Sequence, residues 1–318
     1  MRTAIAVQAG VKQKISRKKS SEKYLLFLLA LPFLLFSFLF SYVPLHGWLY
    51  AFFDYRPPRD LADCTFVGFK WFASILSNPT QMGEMIRVMK NTFAISGLNI
   101  LTSVLPLIFA VFLVEIRSNR YKRMVQTLTT LPNFISWVLV YSVAFSIFSV
   151  SDGFLNNLLV NIGVLDQPIN FLAQDNHTWL GMILWSQWKN LGWGAIMYLA
   201  AIAGIDHELY EAAEVDGAGR FRKMWYITVP SLLPTFFVLL MLSIANFLNN
   251  GMDQYYVFQN AINKKHIEVL DLYVYNTGLT GNNFSFATAV SMLKSIISVA
   301  LLFFANGLSK LLRGESIV

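Results

Sequence analysis

Residues able to do chemistry fall into two groups in this 318-residue chain. The first is a polar island from Asp206 to Pro230, in which Asp206, Glu208, Glu211, Glu214 and Asp216 precede Arg220, Arg222 and Lys223. Asp206 is placed to cap a helix whose early acids suit the positive end of the helix dipole. Gly217 and Gly219 break that helix, and a second short one can run from Arg220 to Pro230. Such a pair cannot bury itself in lipid, so it should lie at a membrane surface and offer itself to a partner. The second group is polar residues set into apolar runs. At 100° per residue, Ser186, Gln187, Asn190, Trp193, Gly194, Met197 and Tyr198 share one arc of a helix. Asn246, Asn249, Asn250 and Asp253 follow at i, i+3, i+4 and i+7. Amides and carboxylates beside Trp and Tyr suit a carbohydrate, whose hydroxyls need paired donors and acceptors and whose C–H face can lie on a ring. Hydrogen bonding between helices is the other use of Gln187, Asn249 and Asn250, and both readings stand. Trp185 and Trp188 read as packing. Lys189 either meets a solute carboxylate or extends to the surface, and Lys294 reads as paired across an interface.

The elements that position these groups are membrane spans. Hydrophobic residues make up 55% of the chain and charged ones only 14%, against about a quarter in soluble domains. Mean hydropathy is +0.50. Apolar runs near the ~20 residues that cross a bilayer place six spans, at about 24–46, 88–114, 127–149, 179–204, 231–252 and 284–307. Basic residues set the topology. Seven lie in residues 1–23, and Arg117, Arg120, Lys122, Arg123, Arg220, Arg222, Lys223, Lys310 and Arg313 fall on the same side. The opposite loops hold Arg56, Arg59, Lys70, Lys264 and Lys265. Both termini and the island are therefore expected in the cytoplasm, with the chain crossing a cell membrane several times. The net charge of +7 is then a topology signal and a contact for anionic lipid, not a nucleic-acid surface.

Cys64 is the only cysteine, which leaves no internal disulfide and no cysteine-rich metal site. The run Tyr24–Val43 is too long for a signal-peptide core and has no small-residue cleavage site after it, so it reads as a retained first span behind a basic tail at 1–23. After that span, Pro44, Pro57, Pro58, Phe66-Val67-Gly68-Phe69 and Trp71-Phe72 describe an exterior loop with interfacial aromatic anchors. Asn91, Thr92, Ser96, Asn99, Thr102 and Ser103 in the second span read as packing groups. Pro132, in Leu131-Pro132-Asn133-Phe134-Ile135-Ser136-Trp137, frees a carbonyl that Asn133 or Ser136 could satisfy. Gly153 to Val164 can form a short outward amphipathic helix.

Glu211-Ala212-Ala213, Gly217, Ile227, Val229 and Pro230 fit E-A-A-x3-G-x9-I-x-L-P with Val in place of Leu. The island thus resembles the coupling loop of permease subunits of bacterial ABC importers. The run 131–137 resembles the maltose-type branch that imports polysaccharide-derived oligosaccharides, such as alginate or pectin fragments. Phe66–Phe69 and the stretch from Phe286 to Lys294 are similar to that family too. The resemblance covers most of the chain from about Phe66, and is strongest at 127–140, 205–230 and 266–297. It implies an all-α fold of six transmembrane helices, a type I importer permease domain over 24–318 with its coupling loop at 205–230. It further implies a second, commonly different, permease, two ATPase subunits, and an extracytoplasmic solute-binding protein that delivers an oligosaccharide. ATP and Mg would act on the ATPase partner, with no cofactor in this chain. Glu211, Ala212, Ala213, Gly217, Ile227 and Pro230 become the coupling residues, with Glu211 pairing to a basic residue of the ATPase. Gln187, Asn190, Trp193, Asn246, Asn249, Asn250 and Asp253 become the substrate path. His207 departs from the relatives, which often carry Pro there.

Other chemistries lack their residues. The chain has no G-x4-G-K-[ST] to cradle phosphates and no H-E-x-x-H, and His46, His177, His207 and His266 are scattered. No catalytic group and no metal site is expected, and the chain reads as a transport subunit, not an enzyme. A permease of the same architecture for a peptide or metal is the nearer alternative, although the spans lack clustered His, Cys or acids. An ion-coupled carrier is the more distant one, since only Lys189, Asp253 and Lys294 could titrate within its spans.

Overall fold

The computed structural model describes residues 24–172 and 177–313; the basic tail expected at 1–23 lies outside them. Among the described residues every regular element is a helix, and the only β pairing is an isolated bridge between Phe53 and Phe66. Helix α1 (Tyr24–Phe52) tightens into a 3₁₀ helix over Val43–Phe52. A π-helical turn at Phe38–Tyr42 precedes it, and Pro44, which has no N–H to donate, falls at the start of the 3₁₀ stretch. Then come α2 (Lys70–Ser77), α3 (Pro79–Thr102) and α4 (Leu105–Val114). The Asn78 side chain caps α3 by accepting from Thr80 N at 3.0 Å. A short break before Pro106 separates α3 from α4, and together they run 36 residues.

Helices α5 (Asn119–Thr130) and α6 (Trp137–Phe148) flank a 3₁₀ turn at Leu131–Phe134 and bend by 108°. The third expected span is therefore broken, with Pro132 inside the break. The outward helix is α7 (Phe154–Asn161), and α8 (Thr178–Ala203) runs 26 residues without interruption. After it come the island helices α9 (His207–Val215) and α10 (Arg220–Lys223), then α11 (Val229–Ala245). Short helices α12 (Asp253–Phe258), α13 (Lys264–Ile267) and α14 (Leu270–Tyr275) lead to α15 (Phe284–Arg313). Among the described residues four stretches, Tyr24–Phe52, Pro79–Val114, Arg220–Ala245 and Phe284–Leu311, are long and apolar enough to cross a membrane, and the bent α5–α6 pair makes a fifth when taken as one broken span. α8 has the length but is diluted by its polar run at 186–190.

Helix α8 is the central strut. Near its start Met182 and Ile183 pack with Ile95, Val140, Tyr255 and Phe258; toward its end Ala195 and Tyr198 pack with Leu107, Val111 and Leu232. Apolar side chains gain little from meeting each other in lipid, so close approach has to come from small residues. Gly192 supplies it. A Cβ there would sit 2.4 Å from the Thr129 carbonyl and 2.6 Å from Thr130 N, so α5 and α8 cross in backbone contact. At the end of the bundle away from α9, polar bonds fix the 253–276 segment. Asn91 donates to the Lys265 and Glu268 carbonyls, both at 3.0 Å, and Thr92 Oγ1 accepts from Leu270 N at 2.9 Å. Buried Glu268 accepts from Arg87 at 2.7 Å and from Asn276 at 2.8 Å.

Gly192→Val has no room to relax, because the obstructing atoms are backbone. Overpacking of this kind costs about 1–3 kcal/mol or more, so the Tm of the purified protein should fall by several degrees. Gly181→Ala, on the same helix with nothing within 4 Å of the added carbon, should keep or slightly raise the Tm, because Ala favours a helix over Gly.

Candidate functional site

The island forms a helix held stiffly at both ends and bare in the middle. Asp206 Oδ1 accepts from Glu208 N at 3.0 Å and caps α9. At the other end Gly217 has φ of 73°, Ala218 N donates to Ala213 O at 2.8 Å, and Gly217 N donates to Glu214 O at 3.0 Å. This is a Schellman turn, and the positive φ is why a glycine stands there. Tyr210 and Thr228 share a hydroxyl bond of 2.9 Å that ties α9 to the foot of α11. Lys223 bonds Glu214 at 2.5 Å. Arg220 Nε bonds Glu115 Oε2 at 3.0 Å at the end of α4, and the same guanidinium donates to the Glu115 carbonyl. The Lys223 ammonium holds the Glu214 carboxyl below its ordinary value. That bridge therefore persists above the usual carboxylate range and is lost only as pH falls through the lowered value.

Between these anchors Glu211, Ala212 and Val215 are exposed, Val215 by 89%. Among the described residues none bonds or pairs with Glu211. Ala213 and Tyr210 turn toward the body. Ile227 is half-buried in a π-helical turn over Met224–Thr228, and Pro230 follows directly on that turn, where the wider ladder accommodates its missing N–H. His207 starts α9 without breaking it, its ring 6.4 Å from that of Tyr210.

The arc on α8 divides. Tyr198 is buried in the core, and Gln187 turns inward to donate to Thr102 Oγ1 at 2.9 Å. Asn190 and Trp193 stay exposed beside the α5–α6 break. Asn133 Nδ2 donates to Asn190 Oδ1 at 2.9 Å, and the Phe134 ring meets Trp193 edge-on at 5.7 Å. These four side chains make a ledge of two amides and two aromatic rings. Lys189 neither reaches the surface nor faces a solute. It is buried, and its Nζ donates to the carbonyls of Pro132, Asn133 and Ile135 at 3.1, 2.7 and 2.6 Å. It thus serves the broken backbone where Asn133 or Ser136 was expected to, while Ser136 caps α6 by accepting from Leu139 N at 3.4 Å.

The four-residue stripe expected after Asn246 does not lie on one helix. α11 stops at Ala245, and Asn246 bonds back to Leu242 O at 3.0 Å. Asn-rich sequence favours such turns, and Gly251 at φ 71° completes this one. Asn249 is exposed and donates to Asn246 Oδ1 at 3.3 Å. Asn250 donates to Ser96 Oγ at 2.9 Å, locking the turn to α3. Asp253 is exposed at the start of α12. Asn249 also lines a cavity of about 760 Å³ with Trp48, Tyr50, Asp271, Tyr275 and Lys294. Lys294 pairs with Asp271, whose second oxygen accepts from Gly251 N at 2.9 Å. Sequence reasoning marked Lys294 as needing a partner but not Asp271, which lies 23 residues away on a helix of only six residues.

With this geometry in hand, likeness to known proteins is informative. Residues 102–314 match the family described as binding-protein-dependent transport system inner membrane component. The chain is 40% identical over 286 residues to protein LplB of Bacillus subtilis, covering 90% of this chain and 88% of that one. It is 38% identical over 322 residues to the polygalacturonan/rhamnogalacturonan transport system permease protein YteP of the same organism, covering 99% and 98%. Among solved structures it resembles a chain of a bacterial alginate ABC transporter in complex with an alginate pentasaccharide-bound periplasmic protein. The TM-score is 0.82 at 32% identity, over 94% of this chain and 99% of that one.

The turn after α9 can be tested directly. An Ala held at positive φ costs about 1–2 kcal/mol, so Gly217→Ala should speed hydrogen exchange of the last α9 amides severalfold. Gly219→Ala, at φ of −69° with open space around the added carbon, should leave exchange unchanged.

Proposed function

The chain belongs to the family of binding-protein-dependent transport system inner membrane components, and from that premise we propose that α9 carries the motion of an ATPase partner to a sugar path in the membrane. The protein is the permease subunit of an oligosaccharide ABC importer, a transport component and not an enzyme. ATP and Mg act on two partner ATPase subunits, a solute-binding protein delivers the oligosaccharide from outside, and a second, different permease completes the path. Six spans fit this role: α1, α3–α4, α5–α6, α8, α10–α11 and α15, within one permease domain over 24–318. The excess of Lys and Arg beside the island supports cytoplasmic termini and a cytoplasmic α9.

One observation carries the coupling role. α9 is capped at both ends, tied to the foot of α11 through Tyr210 and to α10 through Glu214, yet Glu211, Ala212 and Val215 face outward, with Glu211 unbonded among the described residues. A helix so fixed and so bare is suited to a groove on another protein, where the small Ala212 lets it dock closely. Gly217 sets the turn, and Ile227 and Pro230 seat the start of α11. Asn190 and Trp193 on the ledge, with Asn246, Asn249 and Asp253 at the far end of α11, supply the path. Gln187 and Asn250 support it from behind through Thr102 and Ser96. An ion-coupled carrier gains no support from this geometry, since Lys189 caps carbonyls and Lys294 is paired with Asp271.

Glu211→Lys should insert and co-purify with its partners while sugar-stimulated ATP hydrolysis drops to the unstimulated rate. Stimulation at the wild-type level would remove α9 from the coupling route. Asn249→Leu should reduce oligosaccharide uptake with the complex intact, whereas Asn250→Leu should also lower the yield of assembled complex because Ser96 loses its partner. Full uptake by Asn249→Leu would assign that turn to packing alone.

A further inference from the structure

The buried ammonium of Lys189 is satisfied by dipoles and by no opposite charge. It donates to three carbonyls, with Nζ···O distances of 3.1, 2.7 and 2.6 Å. A neutral amine has only two N–H groups, so three acceptors select the charged form. No acid occurs between Glu115 and Asp152 or between Asp175 and Asp206. The helices that surround the lysine most closely, α5, α6 and α8, therefore carry no carboxylate at all. In the low dielectric of a bundle an uncompensated unit charge is felt well beyond contact distance. It emerges at the ledge, because one of the three carbonyls belongs to Asn133, whose half-buried side chain is bonded to exposed Asn190.

Resting on the assignment of this ledge to the sugar path, we propose that Lys189 sets the charge preference of the importer: it gives an outwardly neutral surface of Asn133, Phe134, Asn190 and Trp193 a positive potential that favours uronate-bearing oligosaccharides over neutral chains of the same shape. Lys189 does so without touching the solute. The carbonyls that hold it in place also screen it from a direct ion pair, so an acidic sugar is attracted but not trapped. A lysine exposed on the ledge would bind a carboxylate tightly and impede release.

The test uses the importer assembled with its partner subunits in proteoliposomes and compares uptake of a galacturonate trisaccharide with its methyl ester. Taking the ratio of acidic to esterified uptake, variant against wild type, cancels any discrimination by the binding protein. Lys189→Gln keeps hydrogen-bond donors and removes the charge, and should lower the ratio roughly tenfold, the scale of one unit charge felt across a helix width in a protein interior. Lys189→Arg should keep the ratio near that of wild type. Should Lys189→Gln fail to assemble, Asn190→Asp, an exposed change that places a negative charge on the same ledge, should lower the ratio as well. Equal losses for both chains in Lys189→Gln, or an unchanged ratio, would make the lysine a brace only and overturn the proposal. A wild-type importer that takes up the ester as readily as the acid, or takes up neither, overturns it too. Failure of the underlying path assignment looks different: Trp193→Ala would then leave uptake of both chains at wild-type rates.

Discussion

A backbone bent by 108° inside an apolar bundle has carbonyls with nowhere to turn, and three of them converge on one ammonium. Pro132 O also accepts from Ile135 N at 3.1 Å, so the carbonyls that depend most on Lys189 are those of Asn133 and Ile135. The bend also needs α8 close enough for a four-carbon stem to reach, and Gly192, one helical turn away, provides that closeness by letting the α8 and α5 backbones touch. Glycine contact, lysine cap and proline break form one joint. The amides and rings of the ledge keep their places because the joint does.

The far ends of the molecule follow the same rule with different chemistry. Where α11 ends, asparagines close the turn and Ser96 ties it to α3. At the α9 end, a Schellman turn, a tyrosine hydroxyl and two ion pairs fix a surface helix. Exposed pairs like these are individually weak, about 0–1 kcal/mol. Their value lies in orientation: Glu214–Lys223 ties α9 to α10, and Arg220–Glu115 ties α10 to the end of α4.

Much of this was legible in the sequence. Asp206 and Gly217 mark the ends of α9 through rules that act over one turn, whereas Pro230 does not end the second helix: Arg220–Ala245 runs on through it, eased by the π-helical turn at Met224–Thr228. Hydropathy placed most spans because length and apolarity alone decide them. The sequence was less informative wherever a contact spans distant segments. Lys189 lies more than 50 residues from its acceptors, and no periodicity links Lys294 to Asp271. The Asn246–Asp253 spacing imitates a helical stripe, but the turn preference of asparagine and the positive φ of Gly251 prevailed over it. Gln187 and Tyr198 share an arc with Asn190 on a helical wheel, yet neighbours on several sides of α8 bury Tyr198, half-cover Gln187 and leave Asn190 open.

The arrangement of α8 joins these pieces mechanically. It runs unbroken for 26 residues, holds the α5–α6 joint through Lys189 and Gly192, and is followed four residues later by α9. A helix of that length spans about 40 Å, comparable to the bilayer. Over so short a link at Gly204–Asp206, a displacement of α9 has few ways to dissipate before it reaches α8. α8 in turn cannot shift without carrying the carbonyls that its lysine grips. One continuous helix and three hydrogen bonds thus connect the end of α8 beside α9 with the backbone that carries Asn133 and Phe134.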